Sequence, residues 1–221
     1  MNKKLKNLHY CYNCGDDLNC VPNNEEHIPA RNLFVDSKTH GEIIKVPSCV
    51  KCNTEFSATD DDLRDVIGWL NESITDSKRI TGKTIRSLFV HEKDGYGRLS
   101  GNIEKPSLEF NVGNLYKSHQ KNFKGLFVWE NIQPIDKKYQ IRIIDKHCDA
   151  KEFEMLQPTL DMVFYNQAWK PSGAKEIFRY RLVGLNENWE PTTNSAKPIY
   201  WVAELLYHEK VHAVVFAKYQ Y

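Results

Sequence analysis

Two C-x-x-C pairs, Cys11/Cys14 and Cys49/Cys52, constrain this chain more than any other feature. A tight turn between two cysteines aims both sulfurs at one point. Two such turns complete a tetrahedron around zinc at Zn–S distances of about 2.3 Å. In a reducing compartment the pattern reads as one Zn(Cys)₄ site rather than as disulfides. A redox C-x-x-C is the competing reading, and two matched copies speak against it. Cys20 could replace one ligand, while Cys148 lies alone in a polar stretch and reads as an ordinary thiol. A closed four-sulfur site has no open coordination position, so its zinc is expected to hold a small N-terminal module together. Chemistry needs other residues.

Composition limits what those residues can serve. The 221 residues carry 30 Lys+Arg against 29 Asp+Glu, a net charge of +1, so broad phosphate coating is disfavoured and any nucleic-acid role must rest on local patches or a metal. Hydrophobic residues at 41% exclude general disorder. No apolar run approaches the roughly 20 residues of a membrane span. Met1 to Lys6 is basic but leads into His9-Tyr10-Cys11 without an apolar stretch, so neither a membrane nor a signal peptide is expected, and the expected location is cytoplasmic.

Pattern along the chain predicts an α+β protein. Pro29 ends a strand through His27, 37–41 has turn chemistry, and 42–46 reads as a returning strand. A helix begins at the second knuckle, and Ser57 or Thr59 caps another whose Leu63, Val66, Ile67 and Leu70 form a core stripe. After a loop at 75–82, a short helix is expected at 84–90 and a break at 94–97. Val112, Leu115, Tyr116, Phe123, Leu126 and Phe127 predict an amphipathic helix of about four turns. The remainder alternates as strands around 139–143, 178–182, 201–205 and 211–217, the last two joined by a turn near His208, Glu209 and Lys210. The expected organisation is a zinc-bound module at 1–75, then a helical and antiparallel-β region at 76–221 of unassigned role.

Glu26 and His27 end the strand between the knuckles, and Asn53 directly follows the last cysteine. Zinc should hold these places together. A carboxylate and an amide oxygen suit Mg²⁺ or Mn²⁺, and a neutral imidazole can take a proton from water near pH 7. That is a kit for one-metal phosphodiester hydrolysis, with His27 as general base and the cation held by Glu26 and Asn53.

With Cys11 to Cys14, Glu26-His27-Ile28-Pro29 and Pro47-Ser48-Cys49-Val50-Lys51-Cys52-Asn53, the chain resembles the zinc-containing branch of the HNH (ββα-metal) endonucleases over residues 9 to about 70. The later Ser57 and Asp60 to Asp65 also resemble bacterial HNH-type proteins. The resemblance implies a β-hairpin and helix clamped by structural zinc at Cys11, Cys14, Cys49 and Cys52. His27 would be general base, Glu26 and Asn53 metal ligands, and the substrate DNA, in a mobile-element or phage-defence setting. Arg31 and Lys51 are candidate nucleic-acid contacts. Two positions depart from the family: Glu26 stands where Asp is commoner, and the residue that orients the base falls near Ile44, with His40 a substitute. The alternative is an inactive zinc-stabilised HNH-like module that binds nucleic acid or a protein partner.

Blander readings compete residue by residue. Glu26 and His27 could be plain loop residues, and Asn53 could cap its helix. Asp60, Asp61 and Asp62 read as dipole complement and solvated face rather than a second metal cluster. Lys78, Arg79, Lys83 and Arg86, and Lys117, Lys121 and Lys124, read as solvated helix faces with phosphate contact as the alternative. The C-terminal aromatics read as core, and His208 and His212 as surface residues.

Overall fold

A computed structural model of the chain describes residues 5, 8–34, 41–70, 110–192 and 197–221, and the backbone alone of 99–102 and 105–108. The helix expected at 84–90, the loop at 75–82, the break at 94–97, His40, Lys78, Arg79, Lys83 and Arg86 lie outside the described residues.

The N-terminal part is built on an antiparallel pair, β1 (Asn23–Ile28) and β2 (Ile44–Cys49), in which Glu26 faces Val46, His27 faces Lys45 and Ile28 faces Ile44. Alternation along β1 buries Glu26 and Ile28 and leaves His27 half-buried between them. Pro29, lacking an N–H, ends the strand. Cys49 caps the next helix, α1 (Val50–Glu55): its sulfur accepts from the Cys52 backbone N–H at 3.4 Å. This places Cys52 and Asn53 in the helix against β1. Helix α2 (Ser57–Leu70) follows, with Leu63, Val66 and Ile67 buried as their spacing predicts.

Two short strands, β3 (Leu99–Asn102) and β4 (Lys105–Leu108), pair with each other. Helix α3 (Val112–Asn131) is then capped by the Asn111 side chain, which accepts from the Asn114 N–H at 3.2 Å. Strand β5 (Tyr139–Asp145), helix α4 (Ala150–Val163) and strands β6 (Lys170–Pro171), β7 (Phe178–Leu185), β8 (Tyr200–Tyr207) and β9 (Val211–Tyr219) complete the chain. The last five strands form one antiparallel sheet in the order β5-β9-β8-β7-β6. The α+β class, the turn at His208 to Lys210 and the four C-terminal strands stand as expected, whereas residues 37–40 of the turn expected at 37–41 lie outside the described residues. Helix α4, however, occupies a stretch expected to be β.

Helix α3 lies between the two parts. One hydrophobic cluster runs from Tyr12 and Ile28 through Phe123 and Leu126 of α3 to Leu205 and Val215 of the sheet. On the opposite sheet face, Phe153, Leu160 and Val163 of α4 cover Ile144, Val202 and Val214. The sheet is therefore buried on both faces, and its C-terminal aromatics are largely core.

Several expectations about charged side chains are corrected by this packing. Asp60 and Asp62 are buried against α3 rather than solvated: Asn114 donates to Asp62 at 2.7 Å, and Lys121 pairs with Asp60 at 2.5 Å. Lys121 is itself fully buried, not a solvated or phosphate-facing lysine, and Lys124 is half-buried, donating to the Asn13 side chain at 2.9 Å. His208 is buried at the β8–β9 turn with Nε2 3.1 Å from the Leu33 carbonyl, and His212 lies 3.1 Å from Glu204. Apart from His212, whose partner lies across the same hairpin, each has a polar partner supplied by a distant part of the chain, which spacing alone does not reveal. No helix among the described residues is long and apolar enough to cross a membrane.

Candidate metal centre and adjoining cleft

The two knuckles meet. The Sγ atoms of Cys11, Cys14, Cys49 and Cys52 all lie within 4.8 Å of one another, and Cys14 and Cys49 are 3.8 Å apart. A tetrahedron with arms of about 2.3 Å has edges of about 3.8 Å, so the cluster has the dimensions of a zinc site. Gly15, at φ +78, closes the first knuckle with an N–H to the Cys11 carbonyl at 3.0 Å. The second knuckle is the cap of α1. Asn13 Nδ2 donates to Cys52 Sγ at 3.3 Å. Cys20 is exposed and stands outside the group, as does Cys148.

Burial pushes the Cys52 thiol up to about 11 and the Cys14 thiol well above its ordinary value. Burial acts on Cys11 too, but backbone N–H groups of Cys14, Cys49 and Asn13 outweigh it and hold that thiol at about 7. Four cysteine sulfurs this close could hold a metal ion, and soft sulfur ligands in a tetrahedral set suit zinc.

Beside this cluster β1, α1 and the start of α2 enclose a cleft of about 340 Å³, bordered by Glu26, His27, Asn32, Asn53 and Asp60. The three residues singled out in the sequence thus border one space. Asn53 ties α1 to β1, its Nδ2 donating to Asn24 Oδ1 at 3.1 Å and to the Glu25 carbonyl at 3.4 Å. His27 is half-buried and its pKa is lowered, first by burial and then by the positive charges of Lys45 and Arg31, which outweigh Glu25. At neutral pH its imidazole is uncharged and can accept a proton.

Glu26 is tied more tightly than its sequence position suggests. Its Oε1 accepts from the His27 N–H at 3.2 Å and lies 3.1 Å from the Lys121 ammonium, while Oε2 is buried without a partner among the described residues. Lys121 also holds Asp60, whose Oδ1 is likewise buried without a partner. Burial pushes the Asp60 carboxyl up to about 6, against the pull of Lys121.

Arg31 borders the cleft, whereas Lys51 is exposed on α1 and does not. Ile44 faces Ile28, so the residue across from His27 is Lys45. Asp60, which borders the cleft, and Lys121, the buried partner of its two acids, were missed. A signal existed: Asn114, Ser118, Lys121 and Gly125 recur at helical spacing and form a polar stripe on a helix that packs on α2 and β1. No family model, curated protein or solved structure matches this chain.

Proposed function

We propose that the chain is a divalent-cation-dependent endonuclease of the HNH type that hydrolyses phosphodiester bonds of DNA. The observation that carries this reading is the convergence of Glu26, His27 and Asn53 on one cleft beside the four-cysteine cluster. The cluster, as a structural zinc site, anchors both walls: Cys49 and Cys52 belong to the β2–α1 corner that carries Asn53, and that corner pairs with the strand carrying Glu26 and His27.

Oxygen donors suit a hard cation, and Glu26, which borders the cleft, keeps Oε2 as a buried acceptor with no partner among the described residues. Glu26 and the Asn53 amide oxygen would hold Mg²⁺ or Mn²⁺, which supplies charge stabilisation at the phosphate and at the leaving oxygen. His27 takes a proton from the attacking water as its oxygen bonds to phosphorus. The P–O bond to the leaving sugar oxygen breaks, and that oxygen is protonated from solvent. Arg31, at the mouth of the cleft, is placed to meet a backbone phosphate.

A second reading rests on one specific contact. The Lys121 ammonium on Glu26 occupies one carboxylate oxygen that a cation would otherwise use, which supports a module that binds nucleic acid or protein without cutting. Plasmid nicking by zinc-loaded protein in Mg²⁺ or Mn²⁺, beside His27→Ala at equal zinc content, separates the two. Cleavage by the unaltered chain alone supports the nuclease. Absence of cleavage from both, across DNA and RNA substrates, supports the binding module.

A further inference from the structure

The inner wall of the cleft carries a charge arrangement that protein groups alone leave incomplete. Lys121 is fully buried, and its single ammonium is shared by two carboxylates, 3.1 Å from Glu26 Oε1 and 2.5 Å from Asp60 Oδ2. Both acids are only 7% exposed, and each keeps one oxygen, Glu26 Oε2 and Asp60 Oδ1, buried with no hydrogen-bond partner among the described residues. One positive and two negative charges leave this group at −1. Buried carboxylate oxygens are ordinarily satisfied by donors or cations, because their desolvation is otherwise uncompensated. The two partnerless oxygens belong to residues that border the same cleft as Asn53 and His27.

We infer that Asp60 is a further oxygen ligand of the divalent cation, and that Lys121 is a positioning residue whose ammonium holds Glu26 and Asp60 together from behind. This inference rests on the nuclease reading of the same cleft, but it adds an acid from α2 and a lysine from α3, outside the strand and helix that carry the proposed motif. Lys121 takes one oxygen of each carboxylate and leaves the other to the cation. With a dication bound, the group changes from −1 to +1, which favours an approaching phosphodiester. The C-terminal part of the chain would then belong to the site, because α3 supplies the group that lets the two acids be buried side by side.

The test uses the zinc-loaded full chain and Mn²⁺ alone, with binding followed by electron paramagnetic resonance and by the Mn²⁺-induced rise in melting temperature. Glu26→Gln, Asn53→Ala and Asp60→Asn are compared at equal zinc content. The expected result is one Mn²⁺ per chain in the unaltered protein and affinity weakened by at least about tenfold in Asp60→Asn, comparable with Glu26→Gln. Should Asp60→Asn fail to fold, Asp60→Asn/Lys121→Met removes the ligand together with the ammonium it pairs with, leaves the Glu26 carboxylate in place, and is expected to show the same loss. Unaltered Mn²⁺ affinity in the Asp60 variant, with Glu26→Gln and Asn53→Ala impaired, overturns the inference and leaves the nuclease reading standing. Loss in Asp60→Asn with Asn53→Ala unaffected supports Asp60 and removes Asn53 from the ligand set. No Mn²⁺ binding by the unaltered chain overturns both.

Discussion

Gly125 of α3 lies directly against Ile28 of β1: a Cβ placed on Gly125 would sit 2.4 Å from Ile28 Cγ1 and 2.5 Å from Cδ1. Ile28 is fully buried and immediately follows His27, so it has little room to yield and its displacement would be felt at the cleft. Alanine at a helical glycine gains about 1 kcal/mol of helix propensity, whereas overpacking a filled core costs about 1–3 kcal/mol. Overpacking wins here because the clash is with branched side-chain atoms held on all sides. Gly125→Ala is expected to lower the melting temperature and to reduce nicking beyond what the loss of folded protein explains. A melting temperature equal to or above that of the unaltered chain would show that β1 can move away from α3 freely.

Removal of zinc should act on a whole region rather than on a loop. The cysteines fasten the first knuckle to the corner between β2 and α1, and Tyr12 donates its N–H to the Pro47 carbonyl at 3.0 Å within the same packing unit. Structural zinc sites supply much of the folding free energy of the parts they bridge. Cys49→Ser is expected to abolish stoichiometric zinc and the near-ultraviolet circular dichroism that reports N-terminal packing. Cys20→Ser and Cys148→Ser should keep one zinc per chain by elemental analysis. Loss of zinc from the Cys20 variant would assign the site differently.

The visible and hidden parts of this architecture divide along a physical line. The knuckles, β1 ending at Pro29, the α1 start at Cys49 and the alternating strands are set by residues close in sequence, so their patterns read directly. Helix α4 was not legible because its buried positions, Phe153, Leu160 and Val163, form a thin stripe while Met155 and Met162 are exposed and Pro158 interrupts the pattern. Asp60 looked like an ordinary first-turn acid, and Lys121 like one lysine among three on a helix face. Their burial follows from α3 packing on α2 and β1, a relationship between residues 61 positions apart. Likewise His208 looked like a turn residue until the turn docked on Leu33. Of the residues that border the cleft, Glu26, His27 and Asn53 were readable as neighbours, whereas the groups behind them came from tertiary packing.

Lys121 tests how much of that packing is electrostatic. Breaking a buried ion group by removing one member typically costs about 3–5 kcal/mol, because the remaining charges lose their partner. Lys121→Met is expected to destabilise the chain by about that amount in urea denaturation without divalent cations. Neutralising Asp60 in the same chain, as Lys121→Met/Asp60→Asn, should recover part of the loss, since only Glu26 then remains as a buried anion. Additive losses in the double variant would mean that the two side chains are not energetically coupled.

Acid stability should depend on Asp145, at the junction of β5 and α3. The side chain is fully buried, with Oδ2 3.1 Å from His119 Nε2 and Oδ1 accepting from the N–H groups of His147 at 2.8 Å and Cys148 at 3.1 Å. Burial alone would raise its pKa, but the His119 hydrogen bond and charge, with the two backbone donors, outweigh burial and hold it below the usual carboxylate value. A carboxyl depressed in the folded state binds its proton less readily there than in the unfolded chain. Its contribution is therefore fully present above about pH 4, the unfolded value, and is lost as pH falls through the lower folded value. Asp145→Asn keeps the shape but removes the charge from three hydrogen bonds, so it should destabilise the chain by about 1.5–3 kcal/mol at pH 7. The stability difference between unaltered and Asp145→Asn protein is measured by urea denaturation at successive pH values from about pH 5 downward, where the carboxyl itself titrates. It should then shrink below about pH 4 as the native carboxyl takes up its proton. A difference that holds constant down to pH 3 would show that the Asp145 carboxyl is not depressed in the fold, and would put the acid sensitivity of the chain elsewhere.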